Sequence, residues 1–398
     1  MCSEVSIYIL VNTKQNNMKS ITNTTKENNN ETLEDILKER QIIENLTDKT
    51  IESYITAWNK YTHFQQADIH QLLTEAEADE ETIIKLSKRR IKTRLTQFII
   101  YLQQENYANN TIRVYVSQIK KLYKYKDIEV PHIKIGSNKN KETYKDLPTP
   151  DEIRKAIIHS RPKMKAVITF IASTGLRRSD VSNLTIADFV NATKEYHHNS
   201  YDLYSFIDEL SKQSFIIPTW DITTQKNGIN HITFSSHEST AYILQMLRER
   251  LMKKEVKMED SLFELLPHSI SRNFERLNER LGFGHKETRI RFHPHALRKF
   301  FGTTLTNNDV DYLSTQFLIG HTLNNVDSSY YFANPEKLKN KYLRVVDKLT
   351  FTMNMTYIDV ESKEKRELSR LRQKEQEHEQ KLKNIEQLLE EYMEKRNL

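Results

Sequence analysis

Between Lys134 and Asp146 the chain runs KIGSNKNKETYKD, a polar stretch rich in Gly, Ser, Asn and Lys that separates two blocks of periodic apolar residues. A single packed core cannot run through such a segment, so the chain divides there. Directly after it, Thr149-Pro150-Asp151-Glu152 combines a capping box with proline at the first helical position, and a second folded unit starts at about residue 148. At 398 residues the chain is also too long for one ordinary compact domain.

The expected organisation is a disordered leader over 1–34, a helical block over 35–131, a linker over 132–147, a second unit over 148–349 and a tail over 350–398. The leader is rich in Asn, Thr and Lys, has no apolar period, and contains Met18 as an alternative start. From Thr47 the pattern changes: Ile51, Tyr54, Ile55, Trp58, Tyr61 and Phe64 share one helical face. Two more helices follow, one carrying Ile91, Leu95, Phe98, Ile99 and Leu102, the other capped by Asn110 and carrying Ile112, Tyr115, Val116, Ile119, Leu122 and Tyr123. Their outer faces hold Lys88, Arg89, Arg90, Lys92 and Arg94, then Arg113, Lys120, Lys121, Lys124 and Lys126. These are candidates for phosphate contacts, or, for any single helix, a solvated face.

Composition sets the class of partner only loosely. The formal charge is +6 and the pI about 8.9, which permits a polyanion without requiring one. A hydrophobic content of 37% and a mean hydropathy of −0.70 fit a helix-rich protein with much wetted surface. The apolar run Ile7–Val11 is too short for a bilayer or a signal segment, so the expected location is the cytoplasm, with no membrane partner. Cys2 is the only cysteine, which excludes intrachain disulfides and a cysteine-based zinc site.

In the second unit an apolar helix from Met164 to Ile171 stops at Gly175, and another starts near Ser179-Asp180, with Arg177 at the junction. Ser214–Ile222 and Ile229–Phe234 read as strands joined around Lys226-Asn227-Gly228, where Asn-Gly signals a hairpin and places Lys226 at a loop tip. Helices resume after the Ser235-Ser236-His237-Glu238 box, at Ser269–Leu281 before Gly282, and after His293-Pro294. The fold class is mainly α with a small β-sheet. In the tail, Leu368, Leu371, Glu375, His378, Leu382, Ile385, Leu389 and Tyr392 step by threes and fours, the seam of a C-terminal coiled coil or of a lone amphipathic helix.

Taken singly, the polar candidates are ambiguous. Arg177 after a helix-ending glycine commonly faces water; His321 after Gly320 fits a helix cap; Tyr330 and Tyr331 fit packed aromatics. His295 and Arg298 share a face at a helix start, where phosphate is favoured. His197 and His198 are adjacent but have no metal spacing around them. The joint order is the informative signal: TGLRRSD, a lysine on a hairpin, HPHALRKF, then LIGHTLNNVDSSYY with Tyr330 nine residues after His321.

Those motifs resemble the tyrosine recombinase (phage integrase) family across about residues 40 to 349. TGLRRSD looks like its first-arginine box, HPHALRKF its His-x-x-Arg box and LIGHTLNNVDSSYY its Gly-His box, while PTWDITTQKNGINHITFSSHEST looks like the archaeal branch. The resemblance implies a helical core-binding domain and a catalytic domain that clamp DNA from two faces. It also implies a dimer of protomers on each double-stranded recombination site, a tetrameric synapse, and no metal or other cofactor. Arg177 and Arg298 would hold the non-bridging oxygens and His321 would add a donor. Tyr330 would attack to give a 3′-phosphotyrosine, Lys226 would protonate the departing 5′-oxygen, His295 would assist the tyrosine, and Asp180 would buttress the cations. Lys299-Phe300 stand where the family often has His-Thr, and Tyr331 is a neighbouring alternative nucleophile. A type IB topoisomerase, a DNA-binding regulator without catalysis, and a coiled-coil scaffold are the competing expectations.

Overall fold

The computed structural model describes residues 32–83, 85–136, 143–198, 202–224, 228, 230–286, 289–321 and 334–353. Contacts divide the chain into two compact units, Met1–Lys141 and Glu142–Leu398. The expected leader lies outside the described residues up to position 31, and the expected coiled coil lies wholly outside them.

In the first unit, helix α1 (Leu33–Ile43) starts inside the stretch expected to be leader, because Thr32 and Asp35 form a capping box. Helix α2 (Asp48–Gln65) presents Tyr54, Trp58 and Tyr61 to the core, where they meet Phe98 of α4 (Arg90–Gln104) and Tyr123 of α5 (Asn109–Tyr125). The Trp58–Tyr61, Tyr61–Phe98 and Trp58–Tyr123 ring centroids lie 5.6, 5.2 and 5.3 Å apart. Such pairs add about 0.5–1.5 kcal/mol each beyond the area they bury. Helix α3 (Ile69–Thr82) has no counterpart in the sequence reading, since acidic neighbours dilute its apolar Leu72, Leu73 and Ala76.

Two local expectations change here. Asn110 is not the cap of α5: the extended residue before that helix is Ala108, and Asn110 lies in the first turn, accepting from Arg113 at 3.2 Å. Past Pro131 the chain stays on α5 through Gly136. Lys120 Nζ holds the Pro131 carbonyl at 2.6 Å, and Arg113 Nη2 holds those of Ile135 and Gly136 at 3.1 and 2.8 Å.

The second unit opens with the Thr149–Glu152 capping box of α6 (Pro150–Ile158). Its central element is α7 (Pro162–Thr174), buried continuously from Ala166 to Thr174. The hydroxyls of Thr169 and Thr174 donate to Lys165 and Phe170 carbonyls at 2.8 and 2.7 Å, so a helix submerged on all sides carries its polar atoms satisfied. Helices α8 (Arg178–Asn183), α9 (Ile186–Ala192) and α10 (Leu203–Ser211) follow, then an antiparallel hairpin of β1 (Thr219–Thr223) and β2 (Asn230–Phe234).

The first strand starts later than expected from Ser214–Ile222, while β2 includes every described residue of the expected Ile229–Phe234. Pro218 lacks a ladder donor, and the Ile216 and Ile217 amides are committed to His237 Nδ1 (3.1 Å) and the Tyr196 hydroxyl (3.2 Å). Thr223 pairs with Asn230, and the Gly228 N–H donates to the Thr224 carbonyl at 2.9 Å; Lys226 and Asn227 of the expected turn lie outside the described residues.

Helix α11 (His237–Leu251) is capped by Ser236, but Glu238 does not complete a capping box. Its fully buried carboxylate instead accepts from the amides of Phe351 and Thr352 at 2.8 and 2.6 Å, pinning the chain before the tail. After it come α12 (Pro267–Leu281), the two-residue strands β3 (His285–Lys286) and β4 (Arg289–Ile290), α13 (Pro294–Asn307), α14 (Tyr312–Leu318) and α15 (Pro335–Leu343). Among the described residues no helix is long and apolar enough to cross a membrane.

Candidate active site

Helix α7 ends because Gly175 turns left-handed, φ +67°, which a residue with a side chain resists. A Cβ at Gly175 would lie 2.3 Å from Phe301 Cδ1, so only glycine lets α7 and α13 come this close. The turn sets Arg177 just before α8, where its Nη2 donates to the Gly320 carbonyl at 3.0 Å and its Nη1 lies 3.8 Å from the buried Asp180 carboxylate.

On the other side, His293 starts α13 with Pro294 at its first position, and His295 and Arg298 follow one turn apart. Arg298 is 5% exposed, and its Nη1 donates to the Gly175 carbonyl at 2.6 Å. The α14 end closes through Gly320, φ +63°, and His321, whose backbone N–H reaches the Gln316 carbonyl at 3.0 Å while its Nδ1 meets Gln316 Oε1 at 2.6 Å.

Arg177, His295, Arg298 and His321 thereby line one open cleft of about 750 Å³, joined by Arg178, Ser271 and Arg289, with Glu275 the acidic member of the wall. A model described as the phage integrase family matches residues 148–337, which include all of these residues.

Residues 148–337 form a phage integrase domain.

Curated relatives of the chain include the tyrosine recombinase XerA of Saccharolobus solfataricus, 24% identical over 301 residues, covering 75% of this chain and 87% of that protein. Similar solved structures include a XerA recombinase, 20% identical over 78% of this chain and 97% of that one with a TM-score of 0.34. A lambda integrase dimer bound to a COC′ core site is 14% identical over 80% and 85%, with a TM-score of 0.48. With this domain, the chain is an enzyme of DNA strand cleavage and rejoining.

The integrase cleft is built for an anion. Burial, then the neighbouring Arg177 cation, lower the Arg298 pKa to about 10, with Asp180 acting the other way, so the guanidinium is still charged at neutral pH. Its Nη2 is buried and has no hydrogen-bond partner among the described residues. Two crowded cations and a donor without an acceptor form an arrangement that a bound phosphate oxygen would relieve. Burial, together with the Arg298 charge, also pushes the His295 imidazole below its ordinary value, which keeps it neutral and able to accept a proton.

Lys226, Tyr330 and Tyr331 lie outside the described residues. The basic residues proposed for DNA in the first unit have different surroundings. Arg89 is buried against Glu80, Glu129 and the Ile83 carbonyl; Arg90 pairs with Asp79; Arg94 pairs with Glu75 and Gln65. Arg113 and Lys120 hold the chain after Pro131, as described above. Lys88, Lys121 and Lys124 are exposed and Lys92 partly so. Sequence reading did not single out Arg178, Ser271 or Arg289 in the integrase cleft, nor His231, whose place beneath it depends on pairing between distant segments.

Proposed function

We propose that this integrase is a site-specific DNA recombinase that cuts and rejoins strands through a 3′-phosphotyrosine on Tyr330, acting in the cytoplasm. The observation that carries the reading is Arg298, a buried guanidinium with one nitrogen unbonded among the described residues, in a cleft it shares with Arg177, His295 and His321.

In the proposed step the Tyr330 oxygen bonds to phosphorus and the bond to the 5′-oxygen breaks. His295 takes up the phenolic proton and Lys226 supplies one to the leaving oxygen. The two arginines and His321 stabilise the charge that builds on the non-bridging oxygens. The new phosphodiester keeps the bond energy, so the reverse attack by a 5′-hydroxyl reseals the strand without a nucleotide cofactor. Exchange between two duplexes needs four cuts with one tyrosine each, hence two protomers per site and four in the synapse.

The test uses duplexes enriched from random-sequence DNA by binding to the full chain, then nicked so that the cleaved fragment is lost. Wild type and Tyr331→Phe are expected to form a covalent complex on a denaturing gel, and Tyr330→Phe to bind without forming one. Trapping that survives Tyr330→Phe and disappears with Tyr331→Phe would move the nucleophile to Tyr331, and no trapping by wild type would remove the recombinase reading.

A further inference from the structure

His231 lies on β2, is 3% exposed, and neither of its ring nitrogens makes a hydrogen bond among the described residues. What the ring does contact is Gly320. A Cβ built on that glycine would lie 3.2 Å from each of Cγ, Cδ2 and Cε1 of His231, a position over the face of the imidazole rather than at its edge. Gly320 is left-handed, its carbonyl accepts from Arg177, and the next residue is His321. The same arrangement recurs at the other arginine: Arg298 donates to the carbonyl of left-handed Gly175, and the Phe301 ring covers that glycine. Each guanidinium is therefore held by a glycine carbonyl, and each glycine is backed by a flat ring from another element.

We infer that His231 is a positioning residue, whose ring face holds the Gly320 carbonyl and thereby orients Arg177 and the His321 turn from the hairpin that carries Lys226. Contact through the face needs no nitrogen. It does need an uncharged ring, because Arg177 and Arg298 are close. Burial, then Arg298 and Arg177, lower the imidazole pKa to about 4, against a smaller opposing effect of the Leu318 backbone, so the ring is neutral at working pH. An ångström of slack at a phosphate clamp is enough to cost rate by an order of magnitude or more.

The inference rests on the recombinase reading for its kinetic consequence, so two measurements on the full chain test it. In single-turnover cleavage of the nicked, enriched duplexes, His231→Ala is expected to lose about tenfold or more while DNA affinity stays within about threefold; His231→Phe, which keeps the flat neutral ring, is expected to stay within about threefold of wild type. In an Arg177→Lys background the His231→Ala loss should shrink to about threefold or less, since the two act through one carbonyl. Independently of catalysis, NMR exchange of the Arg177 side-chain N–H with water should speed up by about tenfold in His231→Ala and remain near wild type in His231→Phe. Unchanged cleavage and exchange in His231→Ala, a His231→Phe variant as impaired as His231→Ala, or an undiminished loss in the Arg177→Lys background each overturns it. A wild-type chain that never forms the covalent complex removes the recombinase reading alone, and the exchange measurement still decides the role of His231.

Discussion

The guanidinium of Arg298 donates from Nη1 to the carbonyl oxygen of Gly175 at 2.6 Å, while its Nη2 is left without a partner among the described residues. One nitrogen fixes the side chain to the end of α7, and the other is the one that, on the proposed reading, meets the scissile phosphate. Lysine has one nitrogen and no fork, so it cannot do both. Arg298→Lys is expected to lower single-turnover cleavage about 10²–10³-fold, the usual cost of one oxyanion donor. DNA affinity should change far less. Cleavage by the Arg298→Lys variant within about threefold of wild type would show that the Arg298 fork is not what holds the phosphate.

The approach of Gly175 to Phe301 makes a stability prediction with an internal control. In Gly175→Ala the new methyl meets the ring of Phe301 at an impossible distance, on a backbone already in the left-handed region. Strain and overpacking together should cost about 2–5 kcal/mol. Gly282 has the same φ of +67°, yet a Cβ there meets nothing within 4 Å, so Gly282→Ala should cost only about 1–2 kcal/mol. Urea unfolding of the two variants checks the difference, and equal losses would mean that the Phe301 contact is not tight.

Local signals made much of this legible in advance. Thr149, Gly175, Gly282 and Pro294 punctuate helices where the structure has their ends, because capping and left-handed turns are written in a few consecutive residues. Contacts between distant segments were not legible. Glu238 sits where a capping box would put it, yet its partners are Phe351 and Thr352, more than a hundred positions away. Arg89, Arg90 and Arg94 look like a bare basic face until α3 brings Glu75, Asp79 and Glu80 against them. His231 has no motif at all; only β-pairing and the Gly320 turn give it a role.

That internal pairing divides the basic residues of the first unit into two kinds, with separable readouts. Lys121 and Lys124 are exposed on α5 beside the segment that follows Pro131. If both meet phosphates, Lys121→Ala with Lys124→Ala should reduce the slope of log affinity against log salt by about 2, leaving unfolding unchanged. Arg89→Ala removes a buried partner of Glu80 and Glu129. It should cost about 1–3 kcal/mol of stability, since the carboxylates left behind reach solvent, with little change in that slope. An unchanged slope in the double lysine variant would take these lysines out of the DNA interface.

Glu264 provides the pH prediction. Burial raises its carboxyl pKa, but hydrogen bonds from Lys254 and Lys163 and the charge of Arg250 outweigh this and hold it at about 2, below its ordinary 4.5. Lys163 Nζ lies at 3.0 Å and Arg250 Nε at 3.1 Å from it. A folded-state pKa below the unfolded one means that the ionised group stabilises the fold above about pH 4.5, and that this contribution disappears as pH falls through about 2. The shift corresponds to roughly 2–3 kcal/mol, allowing for the solvent that reaches the site. Glu264→Gln should therefore destabilise the second unit by about that amount at pH 7 and by less than about 1 kcal/mol near pH 2. Asp146 and Asp311, also held at about 2, remain in both proteins and cancel in the difference. Denaturant unfolding of wild type and variant across pH 2–7 measures this, and a difference that stays constant over that range would mean the three cations do not lower the Glu264 pKa.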